Sequence, residues 1–120
     1  MVVDSSVWIE ILCKGSLEAK CQKAMSKQVL RVPTLVFYEV YKKLKSKTSE
    51  DIGLDAVASL GQFEVLDMTR EVALLAADLS LQHGLHMADS LVLAHADLLD
   101  DTMLTLDNDF SSIPRVQVVR

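Results

Sequence analysis

Aromatic residues make up only 5% of this 120-residue chain, and it holds just two prolines and four glycines. No internal repeat, low-complexity tract or long linker interrupts it, so residues 1–120 read as one domain. The two cysteines, Cys13 and Cys21, are spaced unlike a CxxC redox or zinc pair, and reduced structural thiols suit a chain with ample apolar core. No apolar run approaches the roughly 20 residues of a membrane helix. The start, Met1-Val2-Val3-Asp4, lacks the basic and apolar segments of a signal peptide, and a cytoplasmic protein without a membrane partner is expected. Excess basic charge is also missing: 12 Lys and Arg against 17 Asp and Glu leave a net charge of -5. That balance argues against gripping nucleic acid through a globally basic surface. It does not exclude nucleic acid, because screening beyond roughly 8 Å lets a local basic strip or a bound dication outweigh the total.

Half of the residues are hydrophobic, enough for one core in a chain of this size. Short runs rich in Val and Leu, at Val2–Val3, Val29–Val32, Phe63–Leu66, Met103–Leu106 and Val116–Val119, read as buried strands. Between them lie helical patterns at Ser6–Cys13, Leu17–Lys27, Thr34–Ser46, Asp51–Leu60, Thr69–His83 and Asp89–Leu98. Such alternation predicts an α/β fold, a mainly parallel central sheet flanked by helices. Pro33 is expected to close a strand and Gly84 a helix. Val36, Val40 and Leu44 mark the buried stripe of the third helix, with Glu39 at its border.

Two acidic residues stand at the carboxyl ends of strands, where a parallel sheet gathers its ligands, and two more on helices are expected to converge on them. Asp4 follows the first strand and Asp107 the fourth, Glu39 lies on the helix after Pro33, and Asp89 opens an apolar helix. Each also has an ordinary structural explanation. Asp4 and Asp89 can cap helices, Glu39 can pair with Lys42 or Lys43, and Asp107 and Asp109 can be turn residues.

Taken together, the segments resemble the PIN-domain nucleases. Val2-Val3-Asp4-Ser5-Ser6-Val7-Trp8-Ile9 is similar to that family's first motif, Tyr38-Glu39-Val40 to its second and Ala88-Asp89-Ser90-Leu91-Val92-Leu93-Ala94 to its third. Leu104-Thr105-Leu106-Asp107-Asn108-Asp109-Phe110 is similar to the fourth, so the likeness spans Val2 to Phe110. It implies a metal-dependent endoribonuclease, in short chains most often the toxin of a VapBC toxin–antitoxin pair, with a small antitoxin as partner, RNA as substrate and a homodimer as assembly. The implied catalytic and metal-binding acids are Asp4, Glu39, Asp89 and Asp107. Asp109 competes for the last place, and Ser5 and Thr105 stand behind the acids. Oxygen donors without the His or Cys spacing of zinc point to Mg²⁺ or Mn²⁺. The alternative is a PIN fold that binds RNA without turnover.

The remaining polar and aromatic candidates fit simpler roles. His83, His86 and His95 match no metal motif and are expected in structural or surface positions. Trp8 and Phe110 can stack on bases but suit the core. Lys20, Lys23 and Lys27, and Lys42, Lys43, Lys45 and Lys47, read either as solvated helix faces or as phosphate contacts.

Overall fold

Val2 and Val3, neither with any exposed surface, form β1 (Val2–Val3) at the centre of a five-stranded sheet. The computed structural model describes residues 1–120. Its strand order is β3-β2-β1-β4-β5, with β2 at Arg31–Pro33, β3 at Glu64–Leu66, β4 at Met103–Thr105 and β5 at Val116–Val118. Every pairing is parallel, so every neighbour must be reached by a crossover. Helices make most of these crossings: α1 (Ser5–Leu12), α2 (Glu18–Met25), α3 (Thr34–Lys47), α4 (Glu50–Leu60), α5 (Arg70–His83) and α6 (Met87–Leu98). A single 3-10 turn, Asn108–Phe110, lies between β4 and β5. The chain runs outward from β1 through β2 to β3, then returns to β4 on the other side of β1. That reversal opens a crevice beyond the carboxyl ends of β1 and β4, where a doubly wound sheet binds its ligands.

Local chemistry sets the helix ends. Pro33 closes β2 and leads directly into α3, while Ser49 and Thr69 accept hydrogen bonds from the backbone N–H groups of Ile52 and Val72 to cap α4 and α5. Gly84, at φ +68°, stops α5 in the left-handed conformation that suits glycine. Along α3, Val36, Val40 and Leu44 face the core as their spacing requires. All of Ser90–Ala96 is buried, so the middle of α6 is covered on every side.

Three boundaries differ from the sequence expectation by two residues and the others by one at most. β2 begins at Arg31 because the register sets Arg31 opposite Val2, and Val29, 68% exposed, precedes the sheet. Lys27 adopts φ +64° beyond the end of α2 at Met25. α6 begins at Met87 after His86, so Asp89 sits within the first turn and does not open the helix.

The amino ends of the strands are tied by Asp101. Its Oδ2 accepts from the Met1 ammonium at 2.7 Å and from Arg31 Nη1 at 2.6 Å, and its Oδ1 accepts from the Thr102 N–H. Burial alone would raise its pKa, but these donors hold it below the ordinary carboxylate value. Arg31 also reaches Glu64 at 2.9 Å, so β1, β2, β3 and the approach to β4 share one ionic clamp. Asp101→Ala is expected to cost about 2 kcal/mol, the range for losing hydrogen bonds to charged groups. Urea unfolding at pH 7 measures it, and an unchanged midpoint would show that the clamp adds no stability.

Candidate active site

Asp4 leaves β1 in an extended conformation at the position from which an aspartate commonly caps a helix, yet its side chain makes no capping bond to α1. Both hydroxyls near it converge on one oxygen: Oδ2 accepts from Thr105 at 2.8 Å and from Ser6 at 2.9 Å. Each hydroxyl has one proton and donates it to Asp4, so the 3.3 Å approach between Ser6 and Thr105 is packing. The same hydroxyl oxygens accept in turn, Ser6 from the Leu106 N–H and Thr105 from the Asp107 N–H, each at 3.1 Å. The carboxyl ends of β1 and β4 are thereby knotted together around a carboxylate only 5% exposed. Ser6 did not stand out in the sequence beside Ser5. Successive helical residues point about 100° apart, so one serine turns to Asp4 and the other to Glu39 on α3.

Electrostatics brings the other acids into the same crevice. Burial pushes the Asp4 pKa up against the pull of Thr105, Ser6 and the Ser5 backbone, and repulsion from Asp107 adds to the rise. Glu39, half-buried on α3, is raised by burial and then by Asp4, opposed by the Ser5 hydroxyl and reinforced by Asp89. Asp89 is pushed to about 6 by burial, then by Asp4 and Asp107, with His86 pulling down and Asp109 pushing up. Four distant segments thus place acids within reach of one another's charge. Asp107 has a second task, since its Oδ1 accepts from the Asp109 N–H at 2.9 Å and caps the 3-10 turn. Asp109 is exposed on that turn, and Asp89 senses both of these acids.

None of Asp4, Glu39, Asp89, Asp107 and Asp109 forms an ion pair within the protein. Nor do any three His, Cys, Asp or Glu side chains stand close enough to enclose an ion by themselves. Hard oxygen donors, mutual repulsion and an incomplete protein shell fit a small hard dication that keeps several waters, as Mg²⁺ does. The histidines do not join this set as ligands. His83 ends α5 on the surface, His86 precedes α6, and His95 is buried in α6 with its pKa lowered by burial. Trp8 and Phe110 lie in the core, Trp8 against Phe63 at 5.2 Å between ring centroids, and both cysteines are free thiols. The largest cavity, 670 Å³, lies at the opposite end of the sheet, where Arg115 already pairs with Asp97 and Asp100.

The Asp89 shift fixes the sign of a pH effect. A carboxyl raised from 3.8 to about 6 on folding stabilises the metal-free protein fully below pH 3.8, and that contribution is lost as pH rises through 6. The full shift corresponds to about 3 kcal/mol, and solvent screening of this half-exposed group reduces it to about 1–2 kcal/mol. In chelator, Asp89→Asn is therefore expected to gain stability over the parent between pH 5 and pH 7.5, measured by urea unfolding. An unchanged difference between the two proteins across that range would refute the shift.

A family model of the PIN domain matches residues 1–116. No curated protein sequence matches the chain significantly. Among solved structures, one described as a toxin–antitoxin complex from Klebsiella pneumoniae superposes with a TM-score of 0.82 at 23% identity, covering 98% of this chain and 95% of its own. VapC20 of Mycobacterium tuberculosis, described as a sarcin-ricin-loop-cleaving toxin, gives 0.83 at 17% identity, covering 99% and 98%. VapBC2 of Rickettsia felis, bound to a DNA fragment from its promoter, gives 0.77 at 16% identity with coverage of 99% and 98%. With nearly the whole chain matched by the family model, and the same fold in these neighbours, the protein belongs to the PIN-domain family.

Proposed function

We propose that this protein is a divalent-metal-dependent endoribonuclease and the toxin of a toxin–antitoxin pair. The observation that carries the reading is the crevice itself: acids from four segments, mutually repelling, none of them in an ion pair within the protein. Asp4, Asp89 and Asp107 would hold Mg²⁺ or Mn²⁺, with Glu39 beside them and Asp109 as the alternative in the last position. The coupling of Asp107 to both Asp4 and Asp89, at Asp89 ahead of that of Asp109, favours it over Asp109. A bound dication supplies neutralising charge for a phosphodiester and acidifies water.

The protein's own groups complete the arrangement. Two hydroxyl donors favour the ionised form of Asp4 against its burial and fix its orientation. Glu39, whose proton affinity is raised, is suited to take the proton of an attacking water on its carboxylate. Neighbours described as toxin–antitoxin complexes support a small antitoxin partner. Exposed Leu74, Leu81 and Met87 on α5 and α6 support further burial of apolar surface, as a homodimer would provide. No helix is long and apolar enough to cross a membrane, and we assign the protein to the cytoplasm, where its RNA substrate lies.

Incubation of a mixed pool of structured RNAs with the purified protein is expected to give cleavage in Mg²⁺ or Mn²⁺ and none in chelator. Asp4→Asn and Asp89→Asn should each reduce the rate at least 100-fold while remaining folded, as expected for loss of a group required for metal-assisted attack. Full activity in either folded variant would sink this assignment, and RNA binding without turnover in the parent would make the protein a binding module. Thr105→Val keeps the side-chain shape and removes one donor to Asp4. It is expected to weaken Mn²⁺ binding by about 10-fold, the lower end for groups that support a ligand. Calorimetric titration gives the value, and unchanged affinity would leave Asp4 independent of its hydroxyl.

A further inference from the structure

α3 carries Glu39 into the crevice and then continues outward with a charge opposite to that of the whole chain. Lys42, Lys43, Lys45 and Lys47 follow Glu39 on this helix in a protein of net charge -5. Residues four apart share a helical row, so Lys43 and Lys47 extend the row of Glu39, with Lys42 alongside. Of the four lysines, only Lys45 meets a carboxylate, Glu50 at 3.5 Å. The helix dipole accounts for cations in the last turn, Lys45 and Lys47, but not for Lys42 and Lys43 in the middle of the helix.

Tyrosines accompany these charges. Tyr38, 59% exposed, immediately precedes Glu39, and Lys42 Nζ lies 3.3 Å from its hydroxyl and 5.4 Å from its ring centroid. Tyr41 stands likewise beside Lys45 Nζ, 5.5 Å from its ring centroid. Tyr38 and Tyr41 border an apolar hollow with Phe37, Leu54 and Val57. An apolar face alone suits a protein partner equally well. Ammonium groups free of carboxylates, one of them beside the exposed ring of Tyr38, in a row leading from an acidic site, suit a ligand with repeated phosphates and flat bases.

We propose that this face of α3 is the track that delivers single-stranded RNA to the acidic crevice, with Lys42, Lys43 and Lys47 on phosphates and Tyr38 stacked on a base. The inference rests on the ribonuclease reading for its direction, since the track ends at Glu39.

The test measures binding apart from turnover. The full chain carrying Asp89→Asn, in chelator, is titrated with a fluorescein-labelled RNA hairpin bearing a single-stranded loop, across a range of KCl concentrations. Adding Lys42→Gln, Lys43→Gln and Lys47→Gln should weaken binding at least 10-fold and reduce the slope of log K against log salt by about 2, at roughly 0.7 for each lost contact to single-stranded phosphate. Tyr38→Ala should lose about 10-fold with the slope unchanged, and Tyr38→Phe should recover it, as base stacking requires. Lys23→Gln with Lys27→Gln, on and beyond α2, should change neither quantity.

Equal affinity and slope for the triple variant would overturn the track. So would a Tyr38→Ala protein that binds RNA normally but sediments as a smaller species than its parent, which would assign the face to a second copy of the chain. If the parent with Asp89 intact cuts no RNA while the triple variant loses binding, the nuclease reading fails and the track stands. If the parent cuts and the triple variant matches it in both binding and kcat/KM, only the track fails.

Discussion

A carboxylate buried at the end of the central strand is the constraint around which this fold is arranged. Asp4 is 5% exposed and follows β1 directly, so its charge must be satisfied by whatever surrounds the carboxyl end of that strand. Leaving it unpaired costs several kcal/mol, and pairing it with a fixed lysine or arginine would fill the crevice permanently. Two hydroxyls meet part of the demand instead. Because they come from α1 and β4, meeting it also joins those elements, and because the same hydroxyl oxygens accept the N–H groups of Leu106 and Asp107, it sets the path of the segment that carries the last acids. One electrostatic requirement therefore shapes the backbone on both sides of the crevice.

The parallel topology makes such a concentration of acids possible. Strands that all run one way present their carboxyl ends along one edge, and a chain that starts in the middle of the sheet returns to that middle when it reaches β4. Residues as distant as Asp4 and Thr105 become hydrogen-bonded partners. Glu39 joins them because α3 starts directly after Pro33 without a loop, so its second turn stays near the strand end. Asp89 joins them from the first turn of α6, where the partial positive charge of a helix amino terminus favours a carboxylate.

Much of this architecture was legible because it rests on periodicity and on residue type. The apolar stripe of α3, the glycine stop after α5 and the alternation of strands with helices follow from rules that act over a few residues. What the chain alone did not disclose depends on three-dimensional placement. The start of β2 is set by a register with β1, a strand only two residues long, so Val29 looks like strand yet falls outside the sheet. Asp89 looked like a helix start because His86 is a poor capping residue, and the helix begins before the acid with no side-chain cap. The division of labour between Ser5 and Ser6 turns on the angle at which α1 leaves β1. For Asp4 the capping explanation was chemically sound and failed because Ser6 and Thr105, a neighbour in space but not in sequence, hold the carboxylate elsewhere.

The two ends of the sheet show how a structural acid differs from one kept for a ligand. Asp101, at the amino end, is surrounded by the Met1 ammonium, Arg31 and the Thr102 N–H, and its pKa falls despite burial. Asp89, at the carboxyl end, is also partly buried, but its nearest charges are mostly carboxylates and its pKa rises to about 6. Burial acts in the same direction at both places and is the larger cause at Asp89, while at Asp101 the ammonium, the guanidinium and the backbone N–H outweigh it. Where the protein completes the ion pairs itself, the acids stabilise the fold and are closed to further chemistry. Where it gathers acids and provides mainly hydroxyls, an electrostatic deficit remains, and the binding energy of the proposed cation would include the repulsion it relieves. The same unsatisfied charge that weakens the protein by itself would thus strengthen its hold on the proposed metal ion.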